Sequence, residues 1–279
     1  MKTVNTKIKI GVEKPFSILH ITDTHLMFAN ESDDELKNKL AVDRWNWIPA
    51  KEGMEKLDYA YNIHKETAFP IFHTGDLIDF VSNENLKRAK EFIDKTDCFF
   101  ACGNHEFSKY LYFEELNETP EYRAESFDEV QSAHRNDISF ASKIINGVNM
   151  VAIDDSYYTV DADQFSKLKA EVAKGLPIVL FMHVPIYCKE MYERFYVSPS
   201  RPLFMLNAPE ELIKEYPKEN YIQQKTDALT AEATEYILNE PLIKACVTGH
   251  LHADFECMLN DHLLQIVTDM TTARIIEFE

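Results

Sequence analysis

Five short apolar runs in this sequence are each followed at once by a cluster of polar residues. The runs read ILHIT, PIFHTG, FFACG, IVLFM and ACVTG, and such short runs are typical of buried β-strands. The clusters are Asp23 with His25, Asp76 with Asp79, Asn104 with His105 and Glu106, His183 alone, and His250 with His252. Loops at the carboxyl ends of strands converge at one edge of an open α/β sheet, so we expect these side chains to meet there.

Helical periodicity between the runs completes the pattern. Apolar positions at Met54, Leu57, Tyr61 and Ile63 predict a helix over residues 52–67, and Ser82 predicts the N-cap of another. A third helix is predicted over 161–174, and Asn146-Gly147 predicts a hairpin. Further strands are predicted over 7–12, 16–21, 69–74, 98–101, 148–153, 178–182, 245–247 and 273–278. Alternating strands and helices indicate the α/β class.

The chain shows no internal repeat, no low-complexity tract and no linker. We therefore predict a single domain over residues 1–279, with insertions at about 28–51 and 186–226. The second insertion is rich in aromatic residues and prolines, more than a simple connection needs. It is either a packed surface excursion or a wall or lid over the site, and the sequence favours neither.

Charge and hydropathy exclude several classes of function. Acidic residues outnumber basic ones 47 to 29, giving a formal charge of −18 without a compensating basic run. This balance argues against nucleic-acid binding and against binding to an anionic membrane. The first residues lack the apolar stretch of a signal peptide, and no segment is long enough to span a bilayer. Five cysteines without zinc-type spacing predict buried thiols in a reducing cytoplasm.

The polar clusters have the chemistry of metal ligands. Seven candidates offer carboxylate, imidazole or amide donors and no thiolate: Asp23, His25, Asp76, Asn104, His183, His250 and His252. This set suits Mn, Fe, Zn or Co. A structural zinc takes four ligands, whereas seven suit two cations about 3.5–4 Å apart that share a carboxylate. Asp76 is the natural bridge, and the metals would supply the positive charge that an anionic substrate requires.

The same residues resemble the five ordered motifs of the calcineurin-like metallophosphoesterase superfamily. The motifs read DTH at 23–25, GDLID at 75–79, GNHE at 103–106, His183, and GHLH at 249–252, so the resemblance covers positions 23 to 252. It implies a four-layer αββα sandwich, in which helices flank two facing mixed sheets. It also implies a first metal on Asp23, His25, Asp76 and His252, and a second on Asp76, Asn104, His183 and His250.

The resemblance further implies a metal-dependent phosphoesterase, either a phosphatase or a phosphodiesterase. A hydroxide bridging the metals would attack a small-molecule phosphomonoester or phosphodiester, with nucleotides among the candidates, because metals lower the pKa of bound water to ~7. Asn104 and His105 would contact the substrate, and Asp79 would orient His105. His105 would stabilise the phosphoryl group or protonate the leaving oxygen. Purple acid phosphatases carry a tyrosine where this chain has Asp79, which argues against a purple ferric site.

Several alternatives stay open. The chain could be a binding scaffold that kept the fold and lost catalysis, although all seven ligands and His105 are present. The substrate could be a monoester, a cyclic or linear diester, or a pyrophosphate. Glu106 either contacts the ligands from behind or lies in solvent, and one of Asp154 and Asp155 could also contact the ligands from behind. Three arginines are either phosphate contacts or, more commonly, surface residues: Arg44, Arg135 and Arg201.

Overall fold

The computed structural model describes residues 2–46, 50–111 and 119–279. In these ranges the strands are β1 (Lys2–Ile8), β2 (Phe16–Ile21), β3 (Ile71–Thr74), β4 (Phe99–Ala101), β5 (Phe140–Ile145), β6 (Val148–Ile153), β7 (Ile178–Phe181), β8 (Ile243–Thr248), β9 (Phe255–Met258), β10 (Leu264–Val267) and β11 (Thr272–Phe278). The helices are α1 (Glu35–Trp45), α2 (Ala50–Thr67), α3 (Asn83–Thr96), α4 (Pro120–Ala133), α5 (Ala162–Val172), α6 (Lys189–Phe195), α7 (Glu210–Ile213), α8 (Lys218–Gln224) and α9 (Ala228–Asn239). Within the described part of the chain, no helix combines the length and apolar character needed to cross a membrane.

The strands form two mixed sheets. The first has the order β1-β11-β2-β3-β4, and the second has the order β5-β6-β7-β8-β10-β9. Strands β2, β3 and β4 are parallel to one another, as are β6, β7, β8 and β10. The carboxyl ends of each parallel group therefore lie together at one edge of their sheet.

The two sheets pack face to face through alternate residues of their strands. Phe72 of β3 and Phe181 of β7 are almost fully buried, and their rings stack with centroids 4.4 Å apart. Their neighbours Ile71 and Leu180 belong to the outer clusters, as the period of two in a strand requires. Both strands are thus covered on both faces, which explains why they read as continuous apolar runs.

Helices cover the outer face of each sheet. Leu57 of α2, Ile93 of α3 and Val130 of α4 pack on the first sheet, while Leu168 of α5 and Ile237 of α9 pack on the second. The predicted four-layer αββα sandwich is therefore confirmed. Local signals define the helix starts: Ser82 caps α3, and Asp161 and Gln164 form a capping box on α5.

The structure differs from the sequence prediction at the first strand and in several helices. Strand β1 covers Lys2–Ile8 rather than 7–12, because the chain turns at Gly11, whose φ is 74°. Helices α1, α4 and α6 to α9 were not predicted. For α4 the signals were present, since Thr119 accepts a hydrogen bond from the Tyr122 amide and Pro120 opens the helix.

The second insertion, 186–226, contains α6, α7 and α8. Its side chains Met191 and Met205 are buried against Phe255 of β9, and the same cluster includes Leu251, which lies between His250 and His252. The insertion therefore packs behind one of the predicted ligand segments. In the first insertion, 28–51, helix α1 lies within the described residues, whereas 47–49 lie outside them.

The cysteines largely follow the prediction of buried thiols. Cys98, Cys102, Cys246 and Cys257 are buried, and all five cysteines are free. Cys188 is the exception, since it is half-buried with its Sγ 3.4 Å from that of Cys257. These two thiols link the second insertion to β9.

We predict that Phe72→Ala lowers the free energy of unfolding by about 3–5 kcal/mol, because it empties the space between the two sheets. Urea denaturation followed by circular dichroism measures this loss. Ile144→Ala is the control, since that side chain on β5 is 55% exposed and its truncation should change stability by about 0.5 kcal/mol or less. Equal effects of the two substitutions would contradict this view of the core.

Candidate metal centre

The predicted site residues lie where the carboxyl ends of β2, β3 and β4 meet those of β7 and β8. Several of them have backbone φ angles in the left-handed region that non-glycine residues rarely adopt. These residues are Asp23 (51°), His25 (48°), Asp76 (54°), His250 (69°) and His252 (49°). Such conformations cost roughly 1–3 kcal/mol each and cluster at functional sites. They turn each loop sharply at the end of its strand.

Two motif glycines allow the loops to approach one another. A Cβ on Gly103 would lie 2.3 Å from Oδ1 of Asp76, and a Cβ on Gly249 would lie 2.3 Å from Oδ2 of Asp23. Any side chain at these positions would displace a carboxylate of the site. The glycines of the GNHE and GHLH motifs are thus required by close backbone approach.

One group of donor atoms lies around the ring of His25. Its Nε2 is 3.1 Å from Nε2 of His252, 3.7 Å from Oδ2 of Asp76 and 3.9 Å from Oδ1 of Asp23. Nε2 of His252 is also 3.3 Å from Oδ1 of Asp23. These four side chains are the ones that the resemblance assigns to the first metal.

A second group lies around the ring of His183. Its Nε2 is 3.1 Å from Oδ1 of Asn104, 3.1 Å from Nδ1 of His250 and 3.3 Å from Oδ2 of Asp76. These four side chains are the ones that the resemblance assigns to the second metal. Oδ2 of Asp76 lies in both groups, as a bridging carboxylate would.

Hydrogen bonds behind the rings orient two histidines for metal binding. Nδ1 of His183 donates to the carbonyl oxygen of Thr74 at 2.7 Å, and Nδ1 of His25 donates to Oδ1 of Asp79 at 3.0 Å. In the neutral rings, both Nε2 lone pairs then face the centre, where Asn104 presents its Oδ1. Lone pairs placed this close together repel unless a cation lies among them. The donor set therefore fits divalent metal ions.

Charge at the centre also favours a cation. Burial raises the pKa of Asp76, but neighbouring histidines outweigh burial and hold it well below its ordinary value. Burial and the adjacent His183 lower the pKa of His250 to about 3, so this ring is neutral. Burial also lowers the pKa of His183, but Asp76 and Asp23 raise it to about 10. A metal would displace that proton from His183.

Two buried carboxylates hold the ligand loops from behind. Glu106 is fully buried and accepts hydrogen bonds from the amides of Asp76 (2.8 Å), Leu77 (2.7 Å) and Gly103 (2.6 Å). Burial raises the pKa of Glu106 to about 7. Of the two interpretations of Glu106, contact from behind the ligands is confirmed by these bonds.

The second such carboxylate is Asp155, at the end of β6. It accepts hydrogen bonds from the amides of His183 (2.8 Å) and Val184 (3.0 Å), and burial raises its pKa to about 7. Asp154 instead forms an ion pair with Arg123. Asp155 is therefore the member of the pair that supports a ligand segment.

His105 is close enough to His25 and Asp76 for the three side chains to hold an ion together, although the resemblance assigns His105 to the substrate. The amide of His105 donates to Oδ1 of Asp76 at 2.9 Å, and its Nδ1 donates to the carbonyl oxygen of Asp79 at 2.9 Å. The side chain is 21% exposed, so it can reach a bound substrate. Burial lowers the pKa of His105, but Asp76 and Asp79 outweigh burial and raise it to about 9.

Asp79 has a partner that the sequence motifs do not include. Arg44 of α1 is 4% exposed and binds both carboxylate oxygens of Asp79, so it is not a surface arginine. Arg135 is exposed and pairs with Asp97, and Arg201 is exposed in a turn with Ser198. Asp79 does not cap α3, because Ser82 does so.

Comparison with known proteins identifies the family. The family model for calcineurin-like phosphoesterases matches residues 16–254, which includes every predicted site residue. The chain belongs to the calcineurin-like phosphoesterase family. No curated protein matches the sequence.

Several solved structures resemble this calcineurin-like phosphoesterase at low identity. A dimetal phosphatase from Danio rerio shares 12% identity at a TM-score of 0.44, with coverage of 92% of this chain and 88% of the other. A phosphopantetheinyl hydrolase from Mycobacterium tuberculosis shares 12% at 0.43, covering 91% and 90%. An NAD nucleotidase from Haemophilus influenzae shares 14% at 0.42, covering 92% of this chain and 45% of the nucleotidase. The chain thus spans less than half the length of that nucleotidase.

We predict that Asp76→Asn loses bound metal, because the amide removes the negative charge common to both donor groups. Elemental analysis of protein purified with Mn²⁺ measures the stoichiometry. Asp261→Asn is the matched control, since Asp261 is exposed in the loop between β9 and β10. Full metal content in Asp76→Asn would show that the shared carboxylate is not a ligand.

Proposed function

We propose that this protein hydrolyses a small-molecule phosphomonoester or phosphodiester, a nucleotide being one candidate, with two metal ions bound by the seven predicted ligands. The observation that carries the proposal concerns the two oxygens of Asp76. Oδ2 belongs to both donor groups, while Oδ1 accepts the hydrogen bond from the amide of His105. A single carboxylate thus joins both donor groups and His105 around one small volume, which supports a dinuclear site there.

The proposed metals match the charge of the substrate. When bound, two divalent ions stabilise negative charge on a phosphoryl group and activate water for attack. They outweigh the carboxylates of Asp23 and Asp76, so the site attracts an anion although the whole chain carries −18. Mn, Fe, Zn and Co all suit the oxygen and nitrogen donors.

Asp79 and His105 perform the proton chemistry in this proposal. Asp79 holds the N–H of His105 on Nδ1, which leaves Nε2 to meet the substrate. From there the protonated ring can donate to a phosphoryl oxygen or to the leaving oxygen. Asn104, whose Oδ1 lies 3.1 Å from Nε2 of His183, would contact the same phosphoryl group.

An aromatic side chain beside the second donor group supports a substrate with a base or another apolar group. The partly exposed ring of Phe204 lies 6.4 Å from the ring of His250, measured between centroids, and the buried Tyr158 packs against Phe204 at 5.3 Å. Phe204 belongs to the second insertion, which supports a role for that segment as a wall of the site. Stacking on an aromatic ring is a common way to bind a base.

The proposed location is the cytoplasm. All five cysteines are free thiols, which supports a reducing compartment.

A substrate screen tests the proposed activity. Purified protein, stripped with EDTA and reloaded with Mn²⁺, Co²⁺, Zn²⁺ or Fe²⁺, is assayed against aryl phosphates, cyclic nucleotides, linear diesters and pyrophosphates. We expect hydrolysis of at least one class with metal and none with EDTA. Protein that binds two metals and hydrolyses nothing would favour the binding scaffold instead.

We predict that His105→Ala retains both metals and loses about 10²-fold in kcat, the usual contribution of a general acid. Steady-state kinetics on the best substrate from the screen, with elemental analysis of the same sample, measures both quantities. His262→Ala serves as the control, because its ring lies away from the site, hydrogen-bonded to the carbonyl oxygen of Glu240. Unchanged kcat in His105→Ala would remove His105 from the mechanism.

A further inference from the structure

We propose that Arg44 is a positioning residue that fixes Asp79, so that one carboxylate orients both His25 and His105. The inference rests on the proposed function, and it adds a component that lies outside the family motifs. Arg44 comes from α1, in the first insertion. The insertion would thereby contribute to the reaction without touching the substrate.

The contact between Arg44 and Asp79 is a two-point bond. Nε of Arg44 donates to Oδ2 at 2.6 Å, and a terminal guanidinium nitrogen donates to Oδ1 at 2.8 Å. The side chains are 5% and 0% exposed. A planar guanidinium that binds both oxygens fixes the rotation of the carboxylate as well as its position, and water does not compete with a bond this deeply buried.

The orientation of this carboxylate matters because Oδ1 serves two histidines. It lies 3.0 Å from Nδ1 of His25 and 3.2 Å from Nδ1 of His105. The two rings meet edge to face, with centroids 4.8 Å apart. A rotation of the Asp79 carboxylate would therefore change the ring orientations of both His25, a predicted metal ligand, and His105, the predicted catalytic histidine.

A purely structural role would be to anchor α1 to the site, but α1 has other attachments. The hydroxyl of Tyr110 donates to Oδ2 of Asp34, the N-cap residue of α1, at 2.8 Å. Leu40 is buried against Met27 and Phe80. We therefore expect the helix to stay in place when the two-point bond to Asp79 is weakened.

Arg44→Lys tests the proposal, since lysine keeps the charge but cannot bind both oxygens in a fixed plane. We expect kcat to fall about 10-fold with little change in KM, the usual effect of losing an outer partner of a metal ligand. Calorimetric titration of the metal-free protein with Mn²⁺ gives a readout that does not depend on activity. It should show about 10-fold weaker binding of one ion, the ion held by His25, and unchanged binding of the other.

A matched variant separates positioning from anchoring. Asn38→Ala removes side-chain hydrogen bonds to the carbonyl oxygens of Asn30 and Asp34, which loosens the opposite end of α1 and leaves Asp79 untouched. It should lower the stability to urea while kcat and both metal affinities stay at the wild-type values. If Asn38→Ala reproduced the losses of Arg44→Lys, anchoring of α1 would explain them and the proposal would be wrong.

A double mutant tests whether Arg44 acts through His105. With both ions at saturating concentration, adding Arg44→Lys to His105→Ala should lower kcat much less than it does in the wild type, because only the effect through His25 remains. A full further loss of kcat would contradict this route. If Arg44→Lys does not fold, Arg44→Gln, which retains one donor, is measured in its place with the same expectations.

The outcomes distinguish this inference from the proposed function. An active wild type whose kcat and metal affinities are unchanged in Arg44→Lys would overturn the role of Arg44 alone. A wild type inactive in the whole substrate screen would overturn the proposed function. In that case, weaker binding of one ion in Arg44→Lys would still support the link from Arg44 to His25, and equal binding would refute it.

Discussion

The carboxylate of Asp76 connects the ligand loops of the first sheet to those of the second sheet. It belongs to the first sheet, yet one of its oxygens faces His183 of the second sheet, 3.3 Å away. Its own loop is held by Glu106, which binds the Asp76 amide and that of Gly103 in the neighbouring loop. At the edge of the sheets, where the apolar core ends, the two sheets are therefore still in contact through the polar side chains of Asp76 and His183.

This arrangement places several unfavourable features together. Left-handed backbone at Asp23, His25 and Asp76, and carboxylates buried without solvent, each raise the free energy of the folded chain. Binding a cation to the folded form alone would offset part of this cost. Folding and metal binding should then be thermodynamically coupled, with the large core between the sheets supplying the rest of the stability.

Local patterns in the sequence predicted the α/β class and the convergence of the candidate residues at one sheet edge, whereas the four-layer arrangement was implied by the family resemblance. An apolar run that ends in a polar cluster defines a strand and its loop, and parallel strands bring such loops to one edge. The contact of Arg44 could not be predicted in this way, because it depends on Asp79, which is distant in sequence, and Arg44 has no distinctive local pattern. For Asp154 and Asp155 the pattern was present, since both follow the apolar run VNMVAI, but only the tertiary contact with the His183 amide shows that Asp155 supports the ligand segment.

The difference between local patterns and tertiary contacts also explains which secondary-structure features the sequence did not predict. The helix at 120–133 has a weakly amphipathic sequence, so its cap residues carried more information than its periodicity. Strand β11 was predicted as a strand, but nothing in its residues indicates which strands it pairs with. It lies between β1 and β2, with Lys2 opposite Thr272.

The position of β11 has a consequence during synthesis. Strand β1 has its only neighbour in β11 among the described strands, and β2 has β11 on one side. While a ribosome is still translating the codons for 272–278, β1 therefore has no partner, and one edge of β2 stays open to other chains. The nascent polypeptide would thus expose the edge of β2 until β11 leaves the exit tunnel, and an open strand edge is prone to aggregation.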